Sequence, residues 1–395
     1  MRIIGSLFLC AIAYSAGYAA TITVNLNGGA DHFTIQDALN AAADGDVIEV
    51  ALGTYLENIV VSKAVTVRGR VPGSVEVFSA TNSGAVITVS AAATIQDLIV
   101  HGPSSVNSGI TITGGGVLIR GCEVHTVSAG ISISGDISGT VEIDQCTIHD
   151  INGPGITYLN AKGTVNVSRT ECHHNAVGIQ GGSRAPIEGL VNHLNLRNSI
   201  LHNNTGGGVR ILSNVFYSNP IYVRSFGDAE IINSVIYGNG DWGILGGKGG
   251  SDGTRISHPP ISLESCIIAD NNGGVSSSHS ESRSAYSCYW GNGTNVSDGI
   301  QLGLGDIETD PLFEDEENAD FRLSPGSPAI DAGRPGQELV DGDGSRNDMG
   351  AYGGPMPLGS GDEGEPVPVV TDVEVEPNPV EKGQTITIRA KARIQ

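Results

Sequence analysis

The chain is poor in basic residues. Of its 395 residues, 21 are Lys or Arg and 43 are Asp or Glu, which gives a formal net charge of −22 at pH 7. Nucleic acids and anionic membrane surfaces both attract proteins through Lys and Arg, so this balance argues against either as a partner. Glycine is abundant, with 56 residues, but it shows no three-residue period, which excludes collagen.

Long apolar runs are missing outside the first twenty residues. Met1–Ala20 begins with a basic residue, continues with the apolar stretch Ile3–Ala13 and ends with the small residues Gly17 and Ala19. This order is typical of a secretory signal peptide, and the segment is too short to span a membrane. The sequence therefore predicts a signal peptide over residues 1–19, no membrane span after its removal, and a secreted or cell-surface protein.

Cysteine is scarce as well. After removal of the signal peptide, which contains Cys10, the remaining cysteines are an odd set spread over a long chain. Such a set does not make a disulfide framework, even in an oxidising compartment. Cys122 and Cys146 occupy the same position in successive repeats, and we predict that they pack as buried thiols.

One seven-residue pattern recurs along the chain. It begins with an apolar residue, places further apolar or small residues inside, and ends with a polar or aromatic residue. The copies are IQDLIVH from Ile95, IRGCEVH from Ile119, IDQCTIH from Ile143, VSRTECH from Val167, LRNSILH from Leu196, IINSVIY from Ile231, LESCIIA from Leu263 and the degenerate SAYSCYW from Ser284. Successive starts are 24, 24, 24, 29, 35, 32 and 21 residues apart, so the later, longer units indicate loop insertions into one repeated unit.

Each repeat has a second half that contains Gly followed by an apolar residue. In the last five repeats an Asn stands eight residues after the start, at Asn175, Asn204, Asn239, Asn271 and Asn292. The β-branched residues with Gly, Asn and Ser at the joints favour short strands over helices. A coil of about 24 residues cannot bury its own inner face, so the coils must stack into a parallel β-helix. A β-propeller would need units of roughly 40 residues.

The chain at this point resembles the right-handed parallel β-helix, or pectin-lyase-like, superfamily. Phe33–Gly69 is similar to the helix-capped opening coil of that superfamily, with Thr34 as N-cap of a helix over Ile35–Ala43. Asp310–Gly333 resembles the terminal motif of secreted bacterial β-helix proteins. The resemblance implies an all-β fold: a single-stranded right-handed parallel β-helix solenoid of roughly ten coils with an N-terminal capping helix.

The composition divides the mature chain into three parts. We predict the β-helix over residues 20–355, with regular repeats at about 93–300 and an acidic C-terminal cap at 301–355. Residues 356–370 are rich in Pro, Gly and acidic residues and are predicted to form a linker. Residues 371–395 alternate apolar and polar positions and resemble the first two strands of an immunoglobulin-like β-sandwich, too few for a domain.

Catalytic motifs of the superfamily are not found. Gly53–Glu57 matches the GxYxE pattern of pectin methylesterases, but their paired aspartates and LGRPW segment have no counterpart. The signatures of polygalacturonases and pectate lyases are absent too. The resemblance therefore implies the fold, and no catalytic residue is predicted.

Two features are candidates for ligand binding. His101, His125, His149, His173 and His202 end five successive patterns, so stacked coils would align them on one outward face. They would form either a sugar- or metal-binding stripe or a ladder that stabilises a turn. The enlarged repeats between Val167 and Leu263 are the second candidate for a ligand-binding site, because binding sites are often built on loops of a rigid scaffold. The candidate substrate-binding residues are Arg184, Arg210, Arg224, Trp242, His149 and His173.

A third candidate lies in the acidic C-terminal part. Asp341, Asp343, Ser345 and Asp348 place oxygen ligands around glycines, as in part of a calcium loop, which makes calcium a possible cofactor. The bidentate Glu of such loops is replaced by Tyr352 at the twelfth position. An Asx turn without a metal is the alternative.

These observations predict an exported, monomeric β-helix protein that binds extracellular polysaccharide. Two alternatives stay open: a polysaccharide lyase or hydrolase that acts on uronate-containing glycans, and a structural or adhesive surface spacer. Catalysis predicts acidic and basic residues that converge in one groove beside the enlarged coils. Glycan binding predicts a shallow groove with exposed aromatic residues, and a spacer should have neither.

Overall fold

The computed structural model describes residues 19–183, 190–218, 221–248, 259–297, 299–360, 369–376 and 387–393. The predicted signal peptide lies almost entirely outside these residues. No helix within the described residues is long and apolar enough to cross a membrane.

Three parallel sheets, here named A, B and C, form the sides of a stacked coil. The strands of sheet A are Thr21–Val24, Val47–Val50, Thr66–Gly69, Thr94–Gln96, Val117–Arg120, Asp136–Asp144, Lys162–Ser168, Val191–Arg197, Ile221–Ile232, Ile261–Glu264 and Arg283–Ala285. The strands of sheet B are Gly53–Leu56, Val75–Phe78, Ile99–His101, Glu123–His125, Thr147–His149, Glu171–His173, Ile200–His202, Val235–Tyr237, Ile267–Ala269 and Cys288–Trp290. The strands of sheet C are Ile59–Val61, Ala85–Val89, Ser108–Ile112, Ile131–Ile133, Pro154–Thr157, Val177–Gly182, Val209–Ser218, Trp242–Lys248, Gly273–Ser277 and Val296–Ser297. The ten strands of sheet B correspond to ten coils, which confirms the predicted parallel β-helix.

Equivalent positions of successive repeats are paired in register. In sheet A the pattern starts are partners, as in Ile143 with Val167, and in sheet B the inward residues pair in the same way, as in Ile148 with Cys172. The predicted inward residues are Ile119, Ile143, Val167, Leu196, Ile231 and Leu263 in sheet A, and Val124, Ile148, Cys172, Leu201, Ile236 and Ile268 in sheet B. All of them are at most 1% exposed, so both predicted columns are confirmed.

The corner between sheets A and B is a single residue in the left-handed region. It is the third residue of each pattern, and its φ lies between 44° and 58°: Asp97, Gly121, Gln145, Arg169, Asn198, Asn233, Ser265 and Tyr286. A left-handed residue turns the chain sharply without a loop, which keeps the spacing between the two sheets constant in every coil. Cys122, Cys146 and Cys266 directly follow this corner residue. All five cysteines of the described residues are free and buried, as predicted for Cys122 and Cys146.

An α-helix over Ile35–Ala41 covers the first coil. Thr34 is its N-cap, as predicted, and accepts a hydrogen bond from the Asp37 amide. Glu57, the last residue of the GxYxE pattern, accepts from the amides of Ile35 and Gln36 at 2.9 Å each. These amides are unpaired within a helix, so the motif has a structural role here, as a second cap. The apolar side of the helix closes the end of the core.

Besides the short antiparallel pair of Phe313–Asp315 with Asp320–Leu323, two antiparallel strand pairs occur in the described residues, of which only the first interrupts the coils. The first joins Val209–Ser218 of sheet C to Ile221–Ile232 of sheet A, and it accounts for one of the predicted insertions. The second pairs Val369–Glu376 with Thr387–Arg393, in the segment that resembles the start of a sandwich.

The acidic C-terminal segment, residues 310–360, returns along the outside of sheet B. Phe313 and Phe321 pack against the outward residues Ile200, Val235 and Ile267 in a second apolar cluster. The predicted cap thus covers a side of the coil. The later left-handed corners dock the segment, since Asn198 donates to the carbonyl of Gly353 at 2.7 Å and Asn233 to Asn347 at 2.8 Å. This contact explains why those corners are Asn in the later coils.

Replacing the inward Ile143 with Asp would bury an unpaired charge in the middle of a column. We expect a loss of more than about 4 kcal/mol of unfolding free energy, which should unfold the neighbouring coils. The matched control is Ser132→Asp, an outward position of sheet C flanked by Thr111 and Thr157. Thermal unfolding followed by circular dichroism measures both, and equal stability of Ile143→Asp and wild type would contradict the assigned register.

Candidate functional site

A groove lies on the outer face of sheet A, beside the enlarged coils. It encloses about 350 Å³. Its lining residues come from five successive strands of sheet A and from the segments that immediately precede the last two of these strands. They are Thr164, His193, Asn195, Asp228, Ala229, Glu230, Pro260, Ile261, Ser262, Glu281 and Arg283. The hairpin between sheets C and A leads directly into the strand that carries two of these acids.

The groove brings acids and bases together. His193 Nδ1 lies 2.6 Å from a carboxylate oxygen of Asp228, and both side chains are partly exposed. Glu230 pairs with Arg197 at 2.7 Å. Arg283 is exposed at the far end of the groove. These groups offer hydrogen-bond donors and acceptors in one concave surface, but no Phe, Trp or Tyr is among its lining residues, so the exposed aromatic residues expected of a glycan-binding groove are not found there.

Asp228 and Glu230 are the two carboxylates of one strand that face the groove. They stand two residues apart, so their side chains leave the sheet roughly 6.6 Å from each other. In the structure Asp228 contacts His193 and Glu230 pairs with Arg197, so each carboxylate has a partner of this chain.

A polar ladder leads into the groove from the preceding coils. Asn195 donates to Asn166 at 2.8 Å, and Asn166 donates to Glu142 at 2.7 Å. The polar groove residues stand either one or three positions before the first residue of a seven-residue pattern. His193, for example, precedes Leu196 by three residues and Asp228 precedes Ile231 by three, and the structure pairs them directly. Sequence reasoning missed Asp228, Glu230, Glu281 and Arg283, although this offset in the repeats could have revealed them.

The predicted binding residues do not form one cluster. Arg210 lies on sheet C, where its guanidinium pairs with Asp241 at 3.1 Å. Trp242 begins the next strand of sheet C and its ring lies over Gly273, whose missing side chain leaves the space for it. Arg184 falls outside the described residues, and the structure describes only the backbone of Arg224, in the hairpin.

His149 and His173 belong to a stack of imidazoles on the outer face of sheet B. The five predicted rings, from His101 to His202, succeed one another at centroid distances of 4.7, 5.2, 5.0 and 5.0 Å with interplanar angles of at most 24°. The predicted alignment of the histidines is thus confirmed. Glutamates line one side of the stack, with Glu123 3.1 Å from His149 Nε2 and Glu171 2.7 Å from His202 Nε2.

Two rings of the stack have lowered pKa values. Burial, followed by the neighbouring rings of His101 and His149, lowers the pKa of His125. Burial also lowers the pKa of His173, to about 4. Protonated rings would repel each other at this spacing, which adds to both shifts.

The predicted calcium residues make hydrogen bonds to backbone amides. Asp343 accepts from the amide and the hydroxyl of Ser345, and Asp341 accepts from the amides of Asp348 and Gly354. Burial raises the pKa of Asp341 to about 6. Calcium binding at this loop stays a prediction.

Comparisons with known proteins agree with the architecture. Residues 81–220 match the family model described as right handed beta helix region. The solved structure of pectate lyase Pel9A aligns with a TM-score of 0.52 at 12% identity, over 85% of this chain and 96% of the lyase chain. The chain therefore has the right-handed parallel β-helix, pectin-lyase-like fold.

Two further solved structures are similar at lower scores. A pectin methylesterase in complex with a hexasaccharide has a TM-score of 0.42 at 13% identity, over 78% of this chain and 99% of that one. A tailspike protein from the Acinetobacter baumannii bacteriophage Fri1, a capsular polysaccharide depolymerase, has 0.44 at 11% identity, over 71% and 55%. No curated protein sequence matches the chain. At these identities the likeness shows the fold and assigns no activity.

The lowered pKa of His125 makes stability depend on pH. The unfolded chain binds this proton at its ordinary pKa of about 6.5, so unfolding becomes more favourable as the pH falls below about 6.5. We expect a lower melting temperature at about pH 5 than at about pH 7.5, and a smaller difference in His125→Gln. Thermal unfolding at both pH values measures this, with His32→Gln, outside the stack, as control. An unchanged pH difference in His125→Gln would contradict the lowered pKa of His125 in the folded protein.

Proposed function

We propose that this is an exported protein that binds polysaccharide in the groove on sheet A. The observation that carries the proposal is the convergence of His193, Asp228, Glu230, Glu281 and Arg283 on one concave face. Sugars present many hydroxyl groups, and carboxylates, amides and guanidinium groups are suitable partners for them. The row of amides that continues along sheet A would extend the contact to further sugar units.

The charges of the groove favour a neutral or weakly charged glycan. Its carboxylates, Asp228, Glu230 and Glu281, outnumber the single guanidinium of Arg283 among the lining residues. Arg197, which could neutralise a uronate beside Glu230, already pairs with that acid. A densely charged uronate polymer would meet net repulsion in this groove.

Hydrolysis of the bound glycan is the second candidate function. Asp228 and Glu230 face the groove from one strand, and the convergence of acids and bases was the expectation for catalysis. The similar fold of pectate lyase Pel9A is consistent with both candidates. A surface spacer, the third alternative, would not need such a groove.

Arg283→Ala should weaken glycan binding. We expect a loss of about tenfold or more in affinity, because hydrogen bonds to charged groups contribute about 1.5–3 kcal/mol. Titration calorimetry against a panel of neutral and uronate polysaccharides measures the affinity. Arg322→Ala is the matched control, since this exposed arginine lies on the C-terminal segment.

The same titration separates the alternatives. Trp242→Ala should leave binding intact; if it abolishes binding while Arg283→Ala does not, the site lies on sheet C. Assays of reducing ends and of unsaturated products on the same mixtures detect cleavage. Product that disappears in both Asp228→Asn and Glu230→Gln would establish the hydrolase, and no binding to any glycan would leave the spacer.

A further inference from the structure

We propose that Glu171, His173 and His202 form a binding site for a divalent transition-metal ion, with Zn²⁺ as the best-suited ion. One potential ligand atom from each of the three side chains lies within 4.8 Å of the others. In the part of the chain that the structure describes, this is the only such group of His, Cys, Asp and Glu side chains. Two imidazoles and one carboxylate are a known ligand set of zinc, with a fourth position left for water.

The three residues converge because of the coil register. Glu171 and His173 flank the inward Cys172 on one strand, so both point outward, and His202 is the partner of His173 on the next coil. The Glu171 carboxylate already lies 2.7 Å from His202 Nε2. The rings of His173 and His202 are 5.0 Å apart and tilted by 24°.

The available nitrogen of His173 faces the glutamate side. His149 and His173 are parallel within 4°, and each directs Nδ1 toward the residue that follows it, Asp150 and His174 respectively. His149 Nε2 contacts Glu123 on the opposite side of the stack, so Nε2 of His173 points to the same side, where Glu171 lies. The 2.8 Å contact of Nδ1 with His174 would orient the ring, as partners of metal-bound histidines usually do.

Small movements would complete the coordination. Tetrahedral ligands about 2.0–2.1 Å from zinc stand roughly 3.3 Å apart, so the more distant donor atoms must approach by up to about 1.5 Å, whereas Glu171 and His202, now 2.7 Å apart, must separate slightly. Glu171 and His173 are partly exposed and can move, whereas His202 is 2% exposed and packs edge-on against Phe321 of the C-terminal segment. The buried ring would supply the fixed ligand and the other two would close on the ion.

The chain contains its own control for this site. Glu123, His125 and His149 occupy the same three positions two coils earlier, and Glu123 contacts His149 as Glu171 contacts His202. Among the described residues that earlier set does not reach the mutual distances of the later one. A generic effect of the histidine stack would involve both sets, whereas the proposed site involves only the later one.

Titration calorimetry with ZnCl₂ on the full chain, first freed of metal with a chelator, tests the proposal. We expect one zinc per chain and a loss of more than about 100-fold in affinity in Glu171→Gln, because even the outer partners of ligands contribute about 10–100-fold. Glu123→Gln should retain the wild-type affinity. Metal content after gel filtration gives the stoichiometry, and Co²⁺ absorption reports the ligand field.

Three outcomes would overturn the proposal: no zinc bound, zinc bound equally well by Glu171→Gln, or an equal loss in Glu123→Gln. Glu171→Gln keeps the size of the side chain, and circular dichroism verifies its fold. If it is unfolded, His173→Ala, on the exposed side of the site, takes its place with His125→Ala as control. The result does not depend on glycan binding, so either proposal can fail alone.

Discussion

The structure depends on the in-register stacking of coils that cannot bury their own inner faces. A regular coil contributes one or two inward residues per side, as in Val117 and Ile119, Val124, and Ile131 and Ile133. Only the coils above and below it, about 4.8 Å away, complete their burial. A slip by one residue would turn a whole column toward solvent. The left-handed residue at the third pattern position holds the strands of sheets A and B at a constant offset, and it recurs in eight coils.

Stacking also decides which polar residues each column can hold. The inner Asn column is satisfied because an amide has both donors and acceptors: Asn204 donates to Asn239 at 2.9 Å, and Asn239 donates to Asn271 at 2.8 Å. In the outer His column the rings stack face to face. A column of equal charges would repel in either place. In the groove on sheet A, for this reason, the imidazole of His193 on one coil lies beside the carboxylate of Asp228 on the next.

Much of the fold could be predicted from the repeats, because the inward columns and the His and Asn ladders are the repeat itself. The groove could be predicted less readily, since the enlarged repeats differ in length. His193 and Asp228 are 35 positions apart and differ in type, and only their common offset of three residues before a pattern start relates them. The sequence revealed the metal site only as two members of the histidine column. The position of its glutamate is occupied by Ile or Thr in other repeats, so the glutamate does not stand out. The path of residues 310–360 along sheet B has no signal in the repeat pattern.

The register of the coils is tested most directly by double-mutant cycles on the Asn ladder. Asn204 and Asn239 are partners in successive coils, so the unfolding free energies of the single and double Ala variants should show a coupling of about 0.5–3 kcal/mol. Asn204 and Asn292 are three coils apart, and their effects should add within about 0.3–0.5 kcal/mol. Equal additivity of both pairs, measured by denaturant unfolding, would contradict the stacked register from which the groove and the metal site are inferred.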